Sequence, residues 1–396
     1  MPPSRSQDHE ARISVVQDVE SLAELAGPWR DLAAEALESN VFYEPGMLLE
    51  ALRHLRGLRA WQIVLVFRGS RLVGLFPLQR ARLGGGTRLV LELLQHPHSF
   101  LHTPLVHRDH AGSAIDAWLG WCRHDSGAAL VLCSRITVDG PVARLLRERL
   151  DSAGGDSIEL RRYERPLLEP QGDPEAYLRR VLSSERRRQL RRRRALLGEQ
   201  GALAVRVLGA GEEPAAWIDA FLALEASGWK GRKGTALACN EDHARFFRAM
   251  VGDLHGRGQA LLSGIQQEGR WLAMSCHFRA ACPDGGAFWF KPAFDEEHAK
   301  LSPGVLLETE LIRLLRERFA DVRWIDSCTS PDNELMGRLW SGRRAIATLA
   351  LAVPALRGRL ALRAMVLALQ GRLVLRAGRR RLAGAVPARG TEPAST

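Results

Sequence analysis

Lysine is almost missing from this chain, with four residues against 52 arginines, and tyrosine is scarcer still at three. The six cysteines (Cys122, Cys133, Cys239, Cys276, Cys282 and Cys328) form no C-x-x-C pair and no short secreted frame. That excludes a disulfide scaffold and reads as reduced thiols in a cytosolic protein. No stretch of 18 residues is free of charge, so no membrane span is expected. The opening MPPSRSQDHEARIS has no apolar run, so no signal peptide is expected either. What remains is 396 residues that are 46% hydrophobic and 26% charged. Such a chain buries a real core and is long enough for two or three domains at about 150 residues each.

The formal charge of +11 is unevenly spread. Residues 335–396 hold 12 arginines and one acid, Glu392, which leaves 44 basic and 44 acidic residues in the rest. The excess is therefore a property of the C-terminal stretch. A nucleic-acid binder carries its basic stripe on the folded body, so the balance argues against nucleic acid as a partner. One exception is RRVLSSERRRQLRRRR (179–194), with nine arginines behind a possible Ser183–Ser184 helix cap. It fits a contact to phosphate groups through forked guanidinium donors. It equally fits a solvated helix face over Leu178, Leu182, Leu190 and Leu197.

Periodicity and turn residues lay out two similar halves. The first half reads as helices 20–38 and 44–56 and a hairpin, 61–69 with 71–83. Gly84 and Gly86 then lead into a strand at 87–95, and a histidine-rich loop follows. Helix 112–123, strand 128–136, helix 141–152 and strand 157–164 complete this half. Residues 165–174, with three prolines and a glycine, read as a linker. The second half reads as helix 175–198, strand 202–208, helix 213–227, loop 228–235 and helix 241–256. A hairpin, 260–267 with 270–280, is followed by strand 287–294, loop 295–301, helix 302–319 and strand 322–328. Two copies of one α/β unit, each a mixed, largely antiparallel sheet flanked by helices, account for the length. The divisions expected are 1–165, 175–350 and a basic tail, 353–396.

The sharpest local feature is KPAFDEEHAKLSPGVLLETELIRLL (291–315). Ser302 suits an N-cap, Pro303 the first helical position, and Gly304 a close backbone approach. Free N–H groups at such a start suit an anion such as a pyrophosphate; an ordinary capped helix is the alternative reading.

Together with LEASGWKGRKGTAL (224–237), FFRAM (246–250), the strand ending in Lys291 and the closing strand with Asp326, this segment resembles the GNAT-fold acyltransferases related to the cellulose-biosynthesis CelD/BcsL proteins. It is more distantly similar to the FemAB peptidyltransferases. The resemblance is clearest over 175–345 and implies a tandem GNAT-like fold whose first unit is degenerate for catalysis. It implies an acyl-CoA donor, in the first place acetyl-CoA, no metal, and an amine or hydroxyl acceptor that is a small molecule or saccharide-linked envelope precursor.

Such a transfer needs a base for the acceptor and donors for the carbonyl oxygen. Glu225 and Asp326 are the expected catalytic acids, with Lys291, Ser302, Pro303 and Gly304 at the donor phosphates. Trp229, Lys230 and His277 are expected at the acceptor. A FemAB-like transfer from aminoacyl-tRNA, using the arginine segment as RNA contact, is the rival enzyme reading; a non-catalytic scaffold of a polysaccharide or membrane complex is the other. The histidines His96, His98, His102, His107 and His110 match no metal spacing. Residues 353–382 of the tail mix leucine and arginine without acid, which suits an anionic membrane surface, docking on the chain's own body, or a protein partner. The expected location is cytoplasmic, with the inner membrane face as an extension.

Overall fold

Alternating apolar residues in two hairpins give the molecule its frame, because each such strand has one side for each layer of helices. The computed structural model describes residues 11–58, 60–81, 90–170 and 172–368. The strands of the first half are β1 (Ala11–Val16), β2 (Trp61–Arg68), β3 (Arg71–Ala81), β4 (Val90–Leu93), β5 (Leu105–Val106), β6 (Leu130–Thr137) and β7 (Asp156–Leu168). Those of the second are β8 (Leu203–Val207), β9 (Ala260–Gln267), β10 (Arg270–Arg279), β11 (Gly286–Phe294), β12 (Trp324–Asp326) and β13 (Gly342–Ala352). The expected glycine turn at 84–86, the first residues of the strand expected at 87–95 and the tail beyond 368 lie outside the described residues.

All thirteen strands join one sheet in the order β1-β2-β3-β4-β6-β13-β7-β12-β11-β10-β9-β8, with β5 beside β3. Only β4/β6 and β11/β12 are parallel. The architecture is thus the expected mixed, mostly antiparallel sheet between helices. The order also reads alike from either edge, since β1 to β4, β6 and β7 answer to β8 to β11, β12 and β13. Each half's closing strand pairs only with the other half. β7 lies between β13 and β12, and β13 lies between β6 and β7.

This exchange meets the expected divisions badly: residue 165 falls within β7 and residue 350 within β13. The supposed linker is a strand as far as Leu168, because Pro166 faces a partner that does not need its missing N–H for the ladder to continue at Leu167. Neither β1 nor β13 was legible as a strand beforehand. GRRAIATLALA lacks the β-branched richness and flanking turns that mark strands 61–69 and 260–267.

Helices fill both sides. In the first half Ala111–His124 and Pro141–Ser152 cover one face around Trp118, Val142 and Leu146. In the second, Ala215–Ser227 and Glu241–Gly256 cover one face around Phe221, Phe246 and Phe247. Pro174–Val181 and Pro303–Arg318 cover the other. The expected single helix 175–198 is two, because the chain becomes extended at Leu182 and restarts at Ser184, where the Ser183 hydroxyl accepts from the Arg186 amide at 3.2 Å. Phe42 and Met47 of the first half share the core of Phe247 and Phe288 of the second, so the two halves are packed as one body.

Candidate active site

A bulge makes the site. Between β10 and β11 the register places Cys276 opposite Lys291 but His277 opposite Trp289, leaving Phe290 as an extra residue. Strict alternation from Phe288 would turn Lys291 toward helix Pro303–Arg318. The inserted residue turns it to the other face, beside helix Ala215–Ser227. There Glu225 holds two lysines on one oxygen: Lys230 Nζ lies 3.0 Å and Lys291 Nζ 3.4 Å from Oε1. Oε2 accepts from the Leu237 amide at 2.8 Å. Lys230 also donates to the Pro292 carbonyl at 3.0 Å.

The Glu225 carboxylate is fully buried, whereas both lysine side chains keep some exposure. Burial pushes the Lys291 ammonium below its usual range, against the opposing pull of Glu225. With Oε1 shared by both lysines and Oε2 held by an amide, Glu225 positions two ammonium groups.

The short helix Trp229–Arg232 closes over this cluster. It turns so tightly that a Cβ on Gly231 would sit 1.8 Å from the Ala226 carbonyl oxygen. Glu296 ties it across the cleft, accepting from the Trp229 amide and from Arg232, each at 2.6 Å. The gap between them, about 20 Å³, is lined by Glu225, Trp229, Lys230, Pro292, Phe294 and neighbours. That is room for about one water, far below the roughly 300 Å³ at which ligand pockets begin, so it suits a single reacting group and not a whole cofactor. Trp229 stays 45% exposed with Lys233 over its ring at 5.2 Å, a platform for a planar or sugar face.

Glu296 opens the 3-10 helix Glu296–Leu301, which ends at Ser302, so the cleft and the start of helix Pro303–Arg318 are mechanically joined. Ser302 does not cap that helix. Its backbone is left-handed (φ 53°, ψ 53°), and its hydroxyl instead accepts from Arg193 at 2.6 Å. The two helices meet at this residue, and the left-handed bend swings the side chain off the helix start. Pro303 is buried, while Gly304 is open: a Cβ there would meet only Phe294, at 4.0 Å. The turn is therefore not plugged, and a guanidinium stands beside it.

Two expected site residues lie elsewhere. Asp326 pairs with Phe288 across β11/β12, six residues from Phe294 and hence roughly 20 Å from the turn at about 3.3 Å per residue. It is wholly buried, with Oδ1 2.6 Å from Arg165 Nε and Oδ2 3.2 Å from Arg344 Nη1. Arg344 reaches Glu38 as well, at 3.2 Å, and Arg165 donates to the Phe100 carbonyl at 2.8 Å. Asp326 thus neutralises two arginines, one on each exchanged strand, and is not available as a base. His277 is also fully buried, on the face under helix Pro303–Arg318, with Nε2 4.0 Å from Glu308 Oε2; it does not reach the cleft.

The residues the sequence did not announce come from the other half. Beyond Glu92 and Leu132 the parallel pair β4/β6 parts, and its gap is filled by the histidine loop. His102 Nδ1 lies 3.0 Å from the Ser134 carbonyl oxygen, and its Nε2 lies 3.0 Å from the Ser99 hydroxyl. The same loop carries His98 across to the second half, stacked on Phe246 and edge-on to His243. Both histidines feel the Lys291 charge. Only the number of histidines near one another hinted at this; their spacing could not.

These buried groups make stability depend on pH. Burial holds His96, His102 and His277 down to about 3 and His98 to about 2. It pushes Glu44 and Glu308 up to about 7. Below about 6.5 the unfolded chain takes up histidine protons that the fold refuses, so those four groups cost stability as pH falls. The two glutamates act oppositely: their fold-bound protons are lost as pH rises from about 4.5 through 7, and stability falls with them. Four depressed histidines against two raised glutamates place the maximum near neutrality. Melting temperatures from pH 5 to 8 should peak near pH 7, and a peak at pH 5 would contradict this account.

Comparison with known proteins bears on the fold and the domain type. Residues 184–334 match the acetyltransferase (GNAT) domain family, so the chain carries an acyltransferase domain of that type. No curated protein matches. Among solved structures, FemX is similar at 10% identity over 86% of this chain and 97% of its own, with a TM-score of 0.53. A conserved protein of unknown function from Bacteroides thetaiotaomicron is similar at 12% identity over 83% and 96%, with a TM-score of 0.50. A tandem GNAT protein from the clavulanic acid biosynthesis pathway aligns at 17% identity over 87% and 99%, with a TM-score of 0.43. Identities this low speak to fold alone.

Proposed function

We propose that this chain transfers an acyl group from acyl-CoA, in the first place acetyl-CoA, to an amine or hydroxyl, with its working cleft at Glu225, Lys230 and Lys291. The observation that carries this is the Phe290 bulge, which brings Lys291 to the buried Glu225 carboxylate that Lys230 already contacts, inside the GNAT-matched segment. The acceptor attacks the thioester carbonyl, the new C–N or C–O bond forms, and the C–S bond breaks to release CoA. Negative charge gathers on the carbonyl oxygen during attack, and ammonium groups held in place beforehand stabilise it without reorganising. Lys230 spends two of its three N–H donors on Glu225 and Pro292, and Lys291 spends one, so donors remain for the oxyanion. The acceptor's proton leaves through water and ends on the thiolate. Trp229 would pack the acceptor. The donor diphosphate would rest on the amides at Gly304 and Val305, with Arg193 beside them. A saccharide-linked or envelope-precursor acceptor, as for the CelD/BcsL group, and a cytoplasmic setting complete the reading.

Gly304→Asp tests the diphosphate contact cleanly. Its Cβ has room, and an acid in a first helical turn is favourable, so the melting temperature should hold. Affinity for acetyl-CoA by calorimetry should fall at least about tenfold, because the carboxylate repels the diphosphate and fills its place. Unchanged affinity would remove 302–304 from the donor site.

A second reading has its own observation. Arg188, Arg191 and Arg192 on helix Ser184–Glu199 have no acidic partner among the described residues, and the helix borders the Ser302 turn through Arg193. That face suits a polyanionic donor such as aminoacyl-tRNA. Salt-sensitive tRNA binding without any thermal shift from acetyl-CoA would favour it.

A further inference from the structure

After β13 the chain turns into a helix at 356–368. Its inner face is committed to the body. Ala361, Leu362 and Met365 are buried against Val90, Leu130 and Ala350, and a Cβ on Gly358 would lie 2.1 Å from the Val353 carbonyl oxygen. Arg357 clamps the start by donating to the carbonyls of Ala128 at 2.9 Å and Arg123 at 2.6 Å.

The outer face is unusual for a surface helix. Leu356, Leu360 and Leu367 are exposed by 66%, 46% and 68%. At about 100° per residue they fall within roughly 40° of one another, with Arg363 among them and Arg359 at the edge. Both arginines are exposed, and neither has an acidic partner among the described residues. From 353 to 391 the sequence has nine arginines and no acid.

We propose that this face of helix 356–368 rests on an anionic lipid bilayer, the leucines entering the headgroup layer and the arginines meeting lipid phosphates. Taken as a bare helix, the leucines and arginines seem scrambled. The docking of Ala361, Leu362 and Met365 resolves this, because only one stripe is left to face outward and that stripe alternates leucine with arginine. A protein partner calls for a central apolar cluster inside a polar rim. Here the surface is a single convex ridge, and its arginines can extend to phosphate while their stems lie beside leucine. Weak apolar insertion and a basic stretch together suffice where either alone does not. The proposal does not depend on the acyl-transfer reading.

Flotation of the full chain through a density gradient tests it, using vesicles of phosphatidylcholine alone or with phosphatidylglycerol. The expected result is recovery with the anionic vesicles only. Leu356→Ser/Leu360→Ser/Leu367→Ser and Arg359→Gln/Arg363→Gln should each weaken binding by about tenfold. Both variants change exposed side chains, so their melting temperatures should match the parent's. Equal recovery with and without anionic lipid would overturn the proposal, as would full binding by the triple leucine variant. A parent that sediments as a dimer and does not float, with a monomeric leucine variant, would overturn it in favour of contact between copies.

Discussion

Asp326→Asn should lower the melting temperature by roughly 5 °C while the protein that remains folded keeps its rate of acetyl-CoA turnover within about threefold. Removing one partner of a buried ion pair typically costs 3–5 kcal/mol, roughly, because the remaining charge stays desolvated. Here two guanidinium groups, Arg165 and Arg344, would share the loss. They lie on β7 and β13, the strands the halves exchange, so the damage falls on the seam that joins the halves. A few kcal/mol in a chain of this size moves the midpoint by several degrees or more. Calorimetric melting with thiol-release kinetics on the same sample gives both readouts. The quadruple change Asp326→Leu/Arg165→Met/Arg344→Met/Glu38→Gln, which also neutralises the Arg344 partner Glu38, should recover much of the stability, since an apolar set of similar volume often matches a buried ion network. If Asp326→Asn melts like the parent but loses a hundredfold in turnover, Asp326 is a base and not a structural counter-ion.

Lys291→Ala should reduce kcat for acetyl-CoA thioester cleavage by about 10²–10³-fold, the range seen when one oxyanion donor is removed. KM should move little, because the ammonium is matched to charge that develops only during attack. Lys230→Ala should behave similarly, and the double variant should lose less than the product of the two, since both ammonium groups hang on Glu225 Oε1 and act as a unit. Glu225→Gln keeps an acceptor for the Leu237 amide but releases both lysines, so it should lower kcat by a comparable factor and leave the fold intact. Lys291→Arg should not rescue: a planar guanidinium cannot take the place of a compact ammonium beside Cys276 and the bulge. Steady-state kinetics across the five variants decide the matter. A large rise in KM at constant kcat would assign the lysines to substrate binding alone.

The difference between Glu225 and Asp326 shows where reading a sequence runs out. Both are acids at the end of an apolar element, and both lie in the segment that matches the acetyltransferase (GNAT) domain. Glu225 meets Lys230 five residues on, within reach of a helix end and a tight glycine turn, so local order brings that pair together. Asp326 meets Arg165 161 residues away, across a strand exchange that no pattern announces. His277 and Lys291 differ in the same way. His277 keeps strict alternation between Cys276 and Phe278, whereas the face of Lys291 depends on one inserted residue, Phe290, and alternation counted along the sequence places Lys291 on the wrong side.

By itself the sequence determined both hairpins and most of the long helices, the doubled order of elements, the neutral body with its basic end, and the closeness of Glu225 to Lys230. Those follow from short-range rules of apolar period, capping and turn chemistry, which act over a few residues. Only the tertiary structure decided that β7 and β13 trade places, that Asp326 is a structural counter-ion, that His98 crosses to the other half, and that the leucines of helix 356–368 face outward. Each of these depends on contacts between segments far apart in the chain, and packing energy selects among them only once the whole sheet has formed.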